Sequence, residues 1–234
     1  EVMTDADIPA TDNPVYRAAI LLKETFGITA GARIILKKEI AMSAGLGGGS
    51  SDAACTLKGL NRLWDLDLTD KELMDIGSRI GSDVSFFFNG AAAVIKGRGD
   101  IVEPARVEKS HALLLVKPPI DISAAWAYME NDKTGHRGLT KECNNIKLFC
   151  QALEESDFTL LSSMLSNDLE PCVVNRYPVV GEIKDDLLKT GARLSAMSGS
   201  GSAVFGVFDS DQDAVEAMES MQHHWCRVVK TITD

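Results

Sequence analysis

Four glycines fall in five positions at Gly45-Leu46-Gly47-Gly48-Gly49, and Ser50-Ser51-Asp52-Ala53-Ala54 follow at once. Residues of these types in this order suit the holding of an anion. Glycine lets the backbone enter left-handed conformations and approach a ligand closely. The free N–H groups and positive dipole end of a following helix favour negative charge. Serine hydroxyls add hydrogen bonds or reach a metal ion. The alternative is a plain flexible turn before a helix. Against it, Ser51 to Trp64 reads as a strong helix, with apolar residues at 54, 57, 60, 63 and 64 in core-facing rhythm, and apolar residues at 34, 35, 36 and 40 precede the loop. The loop is therefore expected between ordered elements, gripping phosphate.

Known phosphate loops narrow the choice. A Walker A loop needs Gly-Lys-Ser/Thr, and no lysine occurs between 39 and 57. A dinucleotide fingerprint needs a third Gly or Ala where Ser50 stands, and the surroundings do not read as repeated βαβ units. The protein-kinase set is absent, with neither His-Arg-Asp nor Asp-Phe-Gly.

Asp83 is the other candidate for chemistry. It follows a helix end and precedes the apolar run Phe86-Phe87-Phe88, where a carboxylate is costly without a purpose. On local sequence alone the favoured reading is a turn or cap aspartate bonded to nearby N–H groups. Cys55, early in the helix after the glycines, is either a favoured thiolate or a small buried residue. His223-His224 suggests either a metal or a surface pair, and no metal ligands are assigned.

The elements that must position these residues are legible in outline. Asp12-Asn13-Pro14 caps a helix to about Phe26, and 32–38 reads as a strand. Thr69-Asp70-Lys71-Glu72 is a capping box that starts a helix to about Ile80. Ser82-Asp83-Val84 reads as a turn into the phenylalanines, and Ala91–Lys96 as a strand. Composition shifts near Glu108, His111–Val116 is a buried strand, and a short helix spans about Ser123–Glu130. The stretch 131–142 is polar and loop-like. Helices are expected at 144–154, 157–165 and from Pro178 to about Lys189. Strands at 192–196 and 202–208 flank Met197-Ser198-Gly199-Ser200-Gly201. A helix at 211–221 and a strand at 226–232 close the pattern. Antiparallel-looking turns argue α+β rather than doubly wound α/β.

The chain has 234 residues, 45% hydrophobic and 25% charged, which fits an ordinary globular protein. A formal charge of −10 and a pI near 4.9 argue against nucleic-acid or anionic-membrane surfaces. The five cysteines, at 55, 143, 150, 172 and 226, are odd in number and lack zinc spacing, so reduced thiols in the cytoplasm are expected. Glu1 to Asp7 lack the apolar segment of a signal peptide, and no apolar run is long enough to span a bilayer.

The segments Gly-Leu-Gly-Gly-Gly-Ser-Ser-Asp-Ala-Ala at 45–54, Gly-Ser-Asp-Val at 81–84 with Gly97-Arg98-Gly99 after it, and Met-Ser-Gly-Ser-Gly-Ser-Ala-Val-Phe-Gly at 197–206 resemble the motifs of the GHMP kinases. The narrower resemblance, with Gly59-Leu60-Asn61-Arg62-Leu63-Trp64, is to the branch acting on a cytidine diphosphate-linked methylerythritol of the non-mevalonate isoprenoid route. Homoserine, mevalonate and sugar kinases of the superfamily, and a nucleotide-binding fragment without catalysis, are the rival readings.

The resemblance implies an α+β, two-lobe fold, with a ribosomal protein S5 domain 2-like lobe over 1–107 and a ferredoxin-like lobe over 108–234. It implies ATP and Mg²⁺, with Gly45, Leu46, Gly47, Gly48, Gly49, Ser50 and Ser51 around the triphosphate and Asn13 and Lys38 at the adenine end. It makes Asp83 the catalytic base, Tyr128 the ring stacked on cytosine, and Gly199, Ser200 and Gly201 the turn that closes on substrate. A helix cap for Asn13, a surface role for Lys38 and simple packing for Tyr128 with Trp126 are the structural alternatives. Asn167 to Glu170 and Tyr177-Pro178 also match the family and read as structural. The partners implied are small molecules only, in a monomer or weak homodimer. Ser85 departs from the proline usual in the family. The family's Ala-Lys-x-Asn strand and Gly-Tyr-His segment are not among these residues, so the first lobe is expected to be short of strands, to lack the lysine that pairs with the catalytic aspartate, and to expose edges and apolar faces.

Overall fold

The computed structural model describes residues 1–6, 8–97, 99, 101–133 and 146–233. Arg98, Cys143 and most of the polar 131–142 stretch lie outside them. The chain forms two compact units, one of Glu1–Ile40 with Gly47–Arg106, the other of Ala41–Leu46 with Val107–Asp234.

In the first unit, β1 (Val2–Thr4) runs parallel to β2 (Ile34–Leu36), and between them lies α1 (Pro14–Phe26). Asn13 caps α1, Pro14 supplies its first turn and left-handed Gly27 ends it. Then come α2 (Gly48–Leu63), α3 (Asp70–Ser78), a 3₁₀ helix (Ser82–Phe88) and the antiparallel pair β3 (Ala92–Lys96) and β4 (Ile101–Ala105). The Thr69–Glu72 capping box forms in full at the start of α3. Ala18 and Leu22 of α1, Ala53, Ala54, Leu57 and Leu60 of α2, and Leu73 and Ile76 of α3 share one core with Val84 and Phe88. Each buried Leu contributes about 1.5–3 kcal/mol. Met3 and Ile35, partners in register, face solvent together, and Ile35 is 77% exposed.

Three local differences from the sequence pattern have physical causes. Helix α2 starts at Gly48, three residues before Ser51, because left-handed Gly47 turns the chain directly into it. Residues 82–88 form a 3₁₀ helix rather than a turn, which buries Val84 and Phe88 together, while Ser85 donates to the Met74 carbonyl at 3.1 Å. β4 escapes the pattern because Pro104 and Glu103 interrupt its apolar residues. Cys55 is exposed rather than buried.

In the second unit, β5 (Ala112–Lys117) is followed by α4 (Ala124–Lys133), α5 (Ile146–Glu155), α6 (Phe158–Met164), α7 (Glu170–Arg176) and α8 (Pro178–Lys189). The hairpin β6 (Leu194–Met197) and β7 (Val204–Phe208), α9 (Asp211–Ser220) and β8 (Trp225–Lys230) complete it. The sheet order β6-β7-β5-β8, antiparallel throughout, is the ferredoxin-like arrangement. Alternation divides its faces. Leu114, Val116, Val204 and Phe208 pack with Ala127, Ile183, Leu187, Ala214 and Ala217 on one side. Leu113, Phe205 and Val207 pack with Ala152, Phe158 and Leu161 on the other.

Candidate active site

The glycine run ends in an open helix N-terminus. Ser43, Gly45 and Gly47 have φ of 51°, 70° and 67°, so the chain takes left-handed steps before α2 begins. The first bond into the helix is Ser51 N–H to the Gly47 carbonyl at 2.9 Å, and no side chain caps the turn ahead of it. The N–H groups of Gly48, Gly49 and Ser50 therefore lack intrahelical partners, and no acidic residue occupies the first turn. The Ser51 hydroxyl donates to the Gly48 carbonyl at 2.8 Å, and the Ser50 hydroxyl has no partner among the described residues.

A cation stands beside this turn. The Lys38 ammonium is 2.5 Å from an Asp52 carboxylate oxygen, with only 11% of the lysine side chain exposed. A Cβ built on Gly48 lies 3.5 Å from Lys38 Nζ, so the ammonium flanks the N-terminal turn of α2. The Lys38 N–H donates to Asp5 at 3.0 Å, which holds the lysine's own backbone. Asn13 is buried, its side-chain oxygen accepting from Val15 N–H at 3.0 Å, and Pro14 beside it packs 3.3 Å from a Cβ built on Gly49. The starts of α1 and α2 thus touch.

Asp83 stands in the first turn of the 3₁₀ helix, exposed, with no donor to its carboxylate among the described residues. Gly81, not Asp83, is the cap residue. The same helix carries Phe87, whose ring tip lies 2.8 Å from a Cβ built on Gly47. One short element therefore presents the Asp83 carboxylate and abuts the glycine run. Lys58 of α2 ties it down, donating to the Phe87 carbonyl at 3.3 Å and resting over the Phe88 ring. Gly99 packs against Ser82, next to Asp83.

In the second unit the turn between β6 and β7 holds the other glycine motif. Gly199 and Gly201 have φ of 52° and 84°. The segment 43–45 binds this turn. Ser202 N–H donates to the Ser43 carbonyl at 3.4 Å, Ala203 N–H to Ala44 at 3.1 Å, and the Ser198 hydroxyl to Gly45 at 2.9 Å. A Cβ on Gly45 would lie 2.0 Å from the Ser198 carbonyl oxygen, so only glycine fits. Asn167 donates to the carbonyls of Met197 at 3.0 Å and Gly199 at 2.8 Å, and Glu170 accepts from Met197 N–H while pairing with Lys184. Ser200 is half-buried in the turn. Tyr128 is 62% exposed on α4, whereas Trp126 packs edge-on against Tyr177, so the two rings of this helix have different surroundings.

Sequence reasoning missed Asp52 as the partner of Lys38, since nothing in the chain's local pattern marks a contact 14 residues away. It read Asn167 and Glu170 as structural, and a side chain that bonds a distant turn has no local signature. Among the described residues no group of three His, Cys, Asp or Glu could hold a metal, and no helix is long and apolar enough to cross a membrane. His223 and His224 lie against each other with ring centroids 3.9 Å apart, and burial pushes the His224 pKa down.

Family models place these parts in a known context. The GHMP kinases N terminal domain matches residues 13–95 and the GHMP kinases C terminal domain matches 149–225. The chain is 46% identical to the 4-diphosphocytidyl-2-C-methyl-D-erythritol kinase of Thermodesulfovibrio yellowstonii, over all of this chain and 82% of that protein. It is 38% identical to the enzyme of the same name from Caldicellulosiruptor bescii, over 99% of this chain and 80% of the relative. A crystal structure of 4-(cytidine 5'-diphospho)-2C-methyl-D-erythritol kinase superposes with a TM-score of 0.80 at 26% identity, covering 98% of this chain and 81% of that one. Homoserine kinase from Cytophaga hutchinsonii shares the fold, with a TM-score of 0.79 at 20% identity, over 100% of this chain and 81% of that one. The chain belongs to the GHMP kinases, which use ATP to phosphorylate small molecules, and within them to the family of the 4-diphosphocytidyl-2-C-methyl-D-erythritol kinases.

Proposed function

We propose that this protein transfers the γ-phosphoryl group of ATP to the 2-hydroxyl of 4-diphosphocytidyl-2-C-methyl-D-erythritol. The observation that carries the reading is the uncapped N-terminus of α2, where the Gly48, Gly49 and Ser50 N–H groups have no partner among the described residues, with the Lys38 ammonium beside Gly48. Gly45, Leu46, Gly47, Gly48, Gly49, Ser50 and Ser51 cradle the triphosphate, since backbone donors and a helix dipole act together there. Asp52 keeps the Lys38 ammonium at the turn until phosphate provides a second anionic partner. Asn13 and Lys38 border the nucleotide.

Phosphoryl transfer needs positioning and charge stabilisation more than covalent chemistry. Asp83 is the base: its carboxylate takes the proton of the acceptor hydroxyl as that oxygen bonds to the γ-phosphorus. The bond from phosphorus to the bridging oxygen then breaks, and ADP leaves. An exposed carboxylate without a donor among the described residues is available for that contact. The acceptor alcohol is tertiary and unreactive, so alignment supplies much of the rate. Magnesium fits the donor set, because the unpartnered Ser50 hydroxyl is a hard oxygen ligand and the ion takes few protein ligands while keeping waters. When bound, the ion neutralises charge across the phosphates.

Tyr128 offers an exposed ring for the cytosine, and Gly199, Ser200 and Gly201 meet the acceptor's diphosphate. The reading takes the enzyme to be cytoplasmic, with free thiols, working as a monomer or weak homodimer. An acceptor panel tests it. ADP release should require the cytidyl acceptor and stay at background with homoserine, mevalonate or galactose. Equal turnover of homoserine would refute the assignment. Tyr128→Ala should raise the acceptor KM about tenfold, in line with roughly 1–3 kcal/mol for a stacked base.

A further inference from the structure

The reaction as derived leaves Asn167 and Glu170 without a task. Both spend their polar atoms on one turn. Asn167 uses its two amide hydrogens on the Met197 and Gly199 carbonyls, at 3.0 and 2.8 Å, and its side-chain oxygen accepts from Leu169 N–H at 3.0 Å. Glu170 accepts from Met197 N–H at 3.0 Å with one oxygen and pairs with Lys184 through the other. Only an amide combines two donors and an acceptor in so short a side chain. The N–H groups of Gly199 and Ser200, in contrast, have no partner among the described residues.

We propose that Asn167, backed by Glu170 and Lys184, is a positioning residue for acceptor binding: it fixes the carbonyls of the 197–200 turn so that the Gly199 and Ser200 N–H groups stay available for the acceptor's diphosphate. This inference rests on the functional reading above. A structural role for Asn167, by contrast, resides in its bond to Leu169 at the start of α7. The two roles separate in Asn167→Ser, because a serine oxygen can still accept from Leu169 N–H, as in a Ser turn, but cannot donate to both carbonyls.

The test uses the full chain, with rates measured while ATP and acceptor are varied separately, beside thermal melting. In Asn167→Ser the acceptor KM should rise about tenfold, the scale on which small misplacements of a binding group act, while the ATP KM and the melting temperature stay near wild type. Asn167→Asp should raise it further, since a carboxylate would face two carbonyl oxygens. Lys184→Met, which leaves Asn167 in place and frees Glu170, should shift the acceptor KM in the same direction by less, and it serves if an Asn167 variant does not fold. An unchanged acceptor KM in active, folded variants overturns this inference alone. Equal loss in both KM values, or in active fraction only, also overturns it. A wild-type protein that does not phosphorylate the cytidyl acceptor overturns the functional reading and this inference with it.

Discussion

The two glycine turns of this molecule use the same residue for different ends. At Gly47 to Gly49 glycine opens a helix and leaves backbone donors bare, with Ile40, Pro14 and the Phe87 ring close by. At Gly45 and Gly199 glycine lets backbone touch backbone, Gly201 makes room for the Met197 and Ile122 side chains, and bonds from Ser198, Ser202, Ala203 and Asn167 hold the turn. One turn leaves its helix N–H groups without partners among the described residues, and the other packs backbone on backbone while Asn167 holds its carbonyls. A glycine count cannot tell these apart, whereas the neighbours of an imagined Cβ do.

The contrast is open to direct attack. Gly45→Ala should be the most damaging change, because it adds left-handed strain and a collision with the Ser198 carbonyl oxygen 2.0 Å away, which is itself held by the Gly201 N–H at 2.9 Å. A loss of roughly 3 kcal/mol or more is expected in denaturant unfolding, with activity lost as well. Gly47→Ala should cost less, roughly 1–2 kcal/mol, since the obstacle is the far end of the Phe87 ring, but it should raise the ATP KM. Ser198→Ala removes one hydrogen bond to Gly45 and should cost about 1 kcal/mol with the fold intact. Gly59→Ala lies in the same helix as Gly48 but meets nothing within 4 Å, so it should stabilise by about 0.5–1 kcal/mol and leave both KM values alone. Reversal of the first and last of these would break the comparison.

Much of this was legible beforehand, and the reasons for the rest are physical. The cap at Asn13, the capping box at Thr69 and the stripe through Leu57 and Leu60 are local signals, and the helices they announce are present. β4 and α7 were hidden because Pro104 and Pro171 sit inside them, and β1 because three residues make no pattern. The glycine run was readable as a break before a helix, yet that helix begins at Gly48, since glycines read as loop until their conformation is known. The Lys38–Asp52 pair and the Asn167 bonds join residues 14 and more apart, and only the fold brings them together. Asp83 was chosen through family likeness. The structure adds that its carboxylate is exposed and has no donor among the described residues, which local sequence could not distinguish from a capping role.

The most direct test of the account is ADP release from ATP and Mg²⁺ with 4-diphosphocytidyl-2-C-methyl-D-erythritol, for wild type and Asp83→Ala. Because Asp83 is exposed and bonds to nothing among the described residues, the variant should melt as wild type does. Its acceptor-dependent rate should nevertheless fall by about 10²–10⁴, the usual worth of a general base. A folded Asp83→Ala protein that keeps the wild-type rate would contradict the account.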